Sequence, residues 1–115
     1  MFLNLTNHPS SQWEQAQLQA AKKYGVIVDF RFPEIDPKAS SQELEQLADA
    51  LALQIEQLNP KAVHLMGELT FTFMLVNKLH SKKIPCLAST TKRLTTESSG
   101  VKTSVFKFVQ FRPYL

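Results

Sequence analysis

Short apolar runs alternate with amphipathic segments along the first ninety residues. Parallel strands cannot be joined by tight turns, so this order argues for βαβ units with helices covering the sheet faces. The first strand is Phe2 to Leu5. After the loop Thr6-Asn7-His8-Pro9-Ser10-Ser11 comes a helix from about Gln12 to Tyr24, with Trp13, Ala16, Ala20 and Tyr24 at helical spacing and Gly25 as its stop. Val26 to Phe30 is the second strand. Pro33 and Pro37 make Arg31 to Ser40 a loop.

A capping box, Ser40 with Glu43, opens the next helix, and Leu44, Leu47, Leu51, Ile55 and Leu58 form its apolar stripe until Asn59-Pro60 ends it. Ala62 to Met66 is a third, buried strand, followed by a turn at Gly67-Glu68. The helix Leu69 to His80 is apolar on more than one face: Phe71, Met74, Leu75 and Leu79 lie on one side, Phe73 and Val76 beside them. One helix covers one sheet face, so the extra stripe predicts a homodimer through this helix, with a wide monomeric core as the alternative.

Ile84 to Ala88 is the fourth parallel strand. Beyond it the pattern alternates from Lys92 to Glu97 and from Lys102 to Phe111 around the turn Ser98-Ser99-Gly100, which predicts an appended antiparallel hairpin. Val105, Lys107, Val109 and Phe111 are expected on one face, with Phe106, Phe108 and Gln110 on the other. The predicted fold class is therefore α/β, a Rossmann-like three-layer sandwich of four parallel strands plus a C-terminal antiparallel hairpin, in one domain spanning 1–115.

At 115 residues the chain can bury one core. It opens without a basic leader, and no apolar run approaches the roughly 18 residues of a membrane span, so a cytoplasmic protein without membrane contact is expected. The lone cysteine, Cys86, stands among apolar residues and reads as a packing thiol. Charge is unevenly placed. Residues 1–60 hold four Lys/Arg against eight Asp/Glu, and residues 61–115 hold nine against two. The basic half suits an anionic partner, or is a solvated surface.

Ligands of open α/β sheets sit outside the carboxyl ends of the strands. Three loops qualify, Thr6 to Ser11 after the first strand, Gly67 to Thr72 after the third and Ser89 to Arg93 after the fourth. Thr6, Asn7, His8, Ser10 and Ser11 offer hydroxyls, an amide and an imidazole before a helix N-terminus, which favours an anion; one of the serines also fits a helix cap. His8 suits acid–base work or phosphate donation, or is a hydrogen-bonded loop residue. Gly67 permits close backbone approach or a positive φ. Glu68 suits a ribose hydroxyl, base catalysis or a helix N-terminus, with Thr70 and Thr72 on the same opening turn. Ser89, Thr90 and Thr91 place hydroxyls beside the fixed charges of Lys92 and Arg93, a pattern suited to phosphodiester oxygens. Walker-type, Gly-x-Gly-x-x-Gly and nucleophile-elbow motifs are absent. His8, His64 and His80 lack metal-ligand spacing, which predicts no metal and no cofactor; His64 reads as core or strand surface.

The run Leu3 to Ser10, the strand ending Met66-Gly67-Glu68, and Ser89-Thr90-Thr91-Lys92-Arg93 before a basic hairpin resemble small CRISPR-associated proteins of the CARF-like class, of the stand-alone ring nuclease type. The resemblance rests mainly on the His8-Pro9-Ser10 loop, Trp13 and the Ser/Thr-Lys-Arg segment. It implies a Rossmann-like homodimer that binds cyclic oligoadenylate, cyclic tetra-adenylate foremost, across its two-fold axis and cleaves it without metal through a ribose 2′-hydroxyl. His8, Lys92 and Arg93 would then be catalytic; Thr6, Asn7, Ser10, Ser11, Gly67, Glu68, Thr70, Ser89, Thr90 and Thr91 would bind ligand. Two other functions fit the residues: a binding or sequestering module that does not cut, and a protein-interaction subunit. Long nucleic acid is disfavoured, because the basic residues lack interleaved aromatic platforms, although Phe106, Phe108 and Phe111 leave it open.

Overall fold

A computed structural model describes all 115 residues. The chain forms a mixed α/β structure with a five-stranded sheet ordered β2-β1-β3-β4-β5. The strands are β1 (Phe2–Thr6), β2 (Ile27–Arg31), β3 (Ala62–Leu65), β4 (Cys86–Ser98) and β5 (Val101–Pro113); the helices are α1 (Gln15–Lys22), α2 (Ser41–Leu58) and α3 (Leu69–Ser81). The first four strands are parallel, and β5 returns antiparallel to β4.

Alternation along β1 and β3 divides the interior in two. Leu3, Leu5, Val63 and Leu65 point to the side of α2 and α3, where they join Ala48, Ala52, Ile55, Phe71, Leu75 and Leu79 in a cluster of 15 buried residues. Phe2 and Ala62 point to the side of α1 and form a five-residue cluster with Trp13, Ala21 and Leu87. At about 1.5–3 kcal/mol for each large apolar side chain buried, the first face contributes most of the stability.

The Ser40–Glu43 capping box forms with both reciprocal bonds, and Asn59 closes α2 in the left-handed conformation at φ 52°. Of the expected stripe Leu44 and Ile55 are buried, but Ala48 and Ala52 complete the buried face of α2, and Leu47 and Leu58 are exposed. Small alanines suit the close packing of α2 against α3. Lys78 bridges to Glu45 at 3.5 Å and Asp49 at 2.6 Å, and Lys82 to Glu56 at 3.1 Å. Two of the basic residues in the second half thus face the acidic helix α2 of the first.

Three expectations are corrected. The helix expected from Gln12 starts only at Gln15, after a 3-10 turn at Ser10–Gln12, and its inward residues are Gln17 and Ala21, with Ala16 exposed. The sheet has five strands instead of six, because the expected strand Ile84–Ala88, which begins only at Cys86, and the arm Lys92–Glu97 run together as one continuous β4. Ser89, Thr90 and Thr91 stay extended by pairing with Phe111, Gln110 and Phe108. Lastly, a β-bulge between Thr90 and Thr91 gives β5 one extra residue, Val109, so Phe106, Phe108 and Phe111 share a face instead of splitting. Phe108 and Phe111 have ring centroids 4.9 Å apart. The hairpin closes through Ser99 and Gly100 at φ 52° and 79°, the two positive angles of a type I′ turn.

Candidate ligand cleft

The face of the sheet under α1 carries a polar row. Asp29, Asn4 and His64 stand directly opposite one another on β2, β1 and β3. Asn4 is 1% exposed, and its amide is fully engaged. Its nitrogen donates to Asp29 Oδ1 at 2.8 Å and to the His8 carbonyl at 3.0 Å. Its oxygen accepts from Thr6 Oγ1 at 3.0 Å and meets His64 Nδ1 at 3.0 Å. Because a carboxylate and a carbonyl both require donors, the amide can face only this way, and His64 Nδ1 must carry the proton. Nε2 is then a bare acceptor, and it has no partner within the chain. Burial first, and the nearby His8 second, lower the His64 pKa from 6.5 to about 4, so the ring is neutral at pH 7.

Asp29 anchors the other end. Burial would raise its pKa, but bonds from the Asn4 amide and from the Ser10 N–H and hydroxyl prevail and hold it below the usual carboxylate value. Ser10 donates to it from N at 3.0 Å and from Oγ at 2.8 Å. The His8 carbonyl also accepts from Trp13 Nε1 at 3.0 Å, so the loop after β1 is tied to the sheet and to the indole at once.

At the His64 end of this row opens a cleft of about 760 Å³. Thr6, Asn7 and His8 border it from the loop after β1; Met66 and Gly67 from the end of β3; Ser89 and Thr91 from β4. Trp13, Glu14 and Gln17 close the α1 side, Phe106 and Phe108 form a wall from β5, and His64 lies in the floor. The strand order reverses between β1 and β3, so the opening lies at the carboxyl-end crevice that ligands of open α/β sheets occupy. Glu14 Oε2 accepts the Phe108 N–H at 2.7 Å, fastening the hairpin to the start of α1.

Residues 1–112 match the model of a family described as Uncharacterized protein MJ1673 family. The chain belongs to this family. No curated protein and no solved structure gives a significant match. No helix is long and apolar enough to cross a membrane.

In this MJ1673 family member the residues singled out from sequence are only partly gathered. Thr6, Asn7, His8, Gly67, Ser89 and Thr91 line one cleft. Ser10 is engaged with Asp29, and Ser11 is exposed in the 3-10 turn, where neither serine side chain caps α1. Gly67 has no positive φ; the close approach it permits is that of the Phe32 ring, which a Cβ would strike. Glu68 caps α3, accepting from Phe71 N and Thr70 Oγ1 at 2.7 Å each, and these bonds lower its pKa, the Thr70 hydroxyl first. Thr90 donates to the Gln110 carbonyl. Arg93 follows Thr91 on the cleft side of β4 and sits 5.9 Å from the centre of the Phe106 ring, a cation–π distance. Lys92, one residue out of phase, projects from the opposite face beside Lys107.

The sequence reading did not mark His64, Gln17, Phe106 or Phe108 as site residues. One signal was available. Asn4 and His64 stand at the third position of the runs Phe2-Leu3-Asn4-Leu5 and Ala62-Val63-His64-Leu65, two polar groups at equal depth in otherwise apolar strands.

Proposed function

We propose that this protein is a Rossmann-like, CARF-like ring nuclease whose cleft binds cyclic oligoadenylate at a homodimer and opens it without metal. The observation that carries this reading is the convergence of the loops after β1 and β3 with β4 on one opening at the point of strand reversal. Phe106, Phe108 and Trp13 supply flat apolar surface for bases, and stacking on such surfaces is worth about 1–3 kcal/mol per base. Arg93 supplies positive charge at the margin for phosphate.

In the proposed reaction a ribose 2′-oxygen attacks the adjacent phosphorus in line as its proton leaves. The O2′–P bond forms, the P–O5′ bond breaks, and the departing 5′-oxygen takes up a proton, leaving a 2′,3′-cyclic phosphate. His8, exposed at the cleft edge, is the group for proton transfer, and Asn7, Ser89 and Thr91 hold the ring. A dimer through α3 suits a ring with two-fold symmetry. Leu69 and Phe73, 82% and 71% exposed, offer the apolar contact, and Leu69 follows the cleft residue Gly67 by two positions.

Labelled cyclic oligoadenylates incubated with the protein in EDTA are expected to yield linear products with cyclic phosphate ends; an intact ring at stoichiometric protein defeats the cleavage claim. A second reading, capture without cleavage, is favoured by the placement of Lys92 away from the cleft and by the capping role of Glu68. Tight calorimetric binding with no product selects it. A flat titration against every ring rejects both and leaves a protein-interaction role.

A further inference from the structure

His64 is 2% exposed, lines the floor of the cleft, and leaves Nε2 without a hydrogen-bond partner. A buried polar atom left unpaired is costly, and a ligand group that completes it accounts for such an atom beside an open cleft. The chemistry of that group follows from the tautomer. Asn4 fixes the proton on Nδ1, so Nε2 can only accept; it repels phosphate oxygens and calls for a donor. The surroundings narrow the choice further. The Trp13 ring lies 5.5 Å from the imidazole and the Phe111 ring 5.1 Å, both edge-on, and Phe108 lies 4.9 Å beyond Phe111. His64, Trp13 and Phe108 line the same cleft, and that pairing of an acceptor with aromatic walls fits a donor carried on a flat ring.

We propose that His64 Nε2 is the specificity-determining acceptor of the cleft, taking a hydrogen bond from the exocyclic amine of an adenine base whose ring lies among Trp13 and Phe108. This inference rests on the nucleotide reading above and adds to it how the base is read. Gln17 brings a side-chain amide to the same cleft, a group able to meet a neighbouring ring nitrogen. The 6-oxo group of hypoxanthine would set an oxygen lone pair against the Nε2 lone pair. The site therefore discriminates amino from oxo purines through one atom.

The test changes the ligand before the protein. Calorimetry with cyclic tetra-adenylate and with its inosine counterpart is expected to show binding weaker by roughly tenfold or more for the inosine ring, since a buried acceptor is then left opposed and unpaired. In parallel, the ¹⁵N resonance of His64 Nε2 in the intact protein should report an unprotonated nitrogen that moves when the adenine ring is added and stays in place with the inosine ring. His64→Gln should narrow the amino-to-oxo preference, because its amide can present either a donor or an acceptor. Equal affinity for both rings, or an Nε2 resonance unmoved at saturating adenine ring, overturns the role of His64 while leaving nucleotide binding intact. Absence of binding by either ring rejects the nucleotide reading itself, and this inference with it.

Discussion

The two faces of the sheet are built from alternate residues of the same strands, yet they hold different chemistry. Toward α2 and α3 the strands present Leu3, Leu5, Val63 and Leu65 to a large apolar cluster. Toward α1 they present Asp29, Asn4 and His64, joined by hydrogen bonds, with His64 in the floor of a cleft. The difference teaches that strand parity separates an apolar face, which supplies burial, from a face that carries a polar row and a cleft. A polar row can be carried at the centre of the sheet because the opposite face supplies the burial that holds the strands in place.

That contrast can be broken from the apolar side with the largest effect. Phe71→Ala, at a fully buried position in the larger cluster, should lower unfolding free energy by about 3–5 kcal/mol in urea denaturation. A loss below about 1 kcal/mol would mean that this face does not dominate.

The polar row should carry the acid sensitivity. Above pH 6.5 His64 is neutral whether the chain is folded or unfolded, and its favourable contribution is complete. As pH falls from 6.5 toward 4 the unfolded chain takes up a proton that the folded protein refuses, so stability declines by about 3 kcal/mol across that window. His8 and, through Asn4, Asp29 are the titratable neighbours of the ring. Denaturation curves at pH 7 and pH 4.5 check the slope, and His64→Gln should flatten it. A curve unchanged by that substitution would move the acid sensitivity elsewhere.

Asn4→Leu keeps the volume of the row and removes its bonds. It should cost about 2 kcal/mol by stranding the His64 Nδ1 proton, and the His64 ring resonances should then show both tautomers. A neutral result would show that the row is not a connected network.

The smallest effect on stability belongs to the wall of the cleft. Phe106→Ala, at an exposed hairpin position, should change unfolding free energy by less than about 0.5 kcal/mol. It should nevertheless weaken binding of cyclic tetra-adenylate measurably, as should Arg93→Ala, whereas Lys92→Ala on the far face should leave affinity unchanged. Equal losses from Arg93 and Lys92 would indicate diffuse attraction to the hairpin rather than a one-sided site.

How far the sequence could be read follows the same division. α2 was legible because Ser40 and Glu43 lie at the spacing of a cap, and that interaction is local. The hairpin turn was legible for the same reason, since Gly100 adopts a positive φ at no steric cost; its type was not, because Ser99 shares the left-handed conformation. The length of β4 was not: hydroxyl-rich Ser89-Thr90-Thr91 has loop composition, and only pairing with β5 keeps it extended. Lys92 and Arg93 therefore looked like neighbours on one loop, while strand geometry sends them to opposite faces. In the cleft, the loop after β1 was legible from its position at a strand tip. His64 was not, because its importance lies in an atom left unpaired by the contacts of the other ring nitrogen, and those come from a strand sixty residues away. Trp13 was legible as apolar but not as the donor that holds the His8 carbonyl.

The bulge at Val109 has one further consequence. Counting from the turn, Ser98 faces Val101 and Thr91 faces Phe108; counting from the core, Leu87 faces Pro113 and Thr90 faces Gln110. The two counts disagree by one residue, and the bulge absorbs the mismatch. Removing Val109 would reconcile them and leave every pair as it is, yet it would take away the local bend that a bulge imposes. The aromatic arm would keep its partners and lose its aim, so a one-codon change in length would alter how the ribbon leans over the cleft without altering a single pairing.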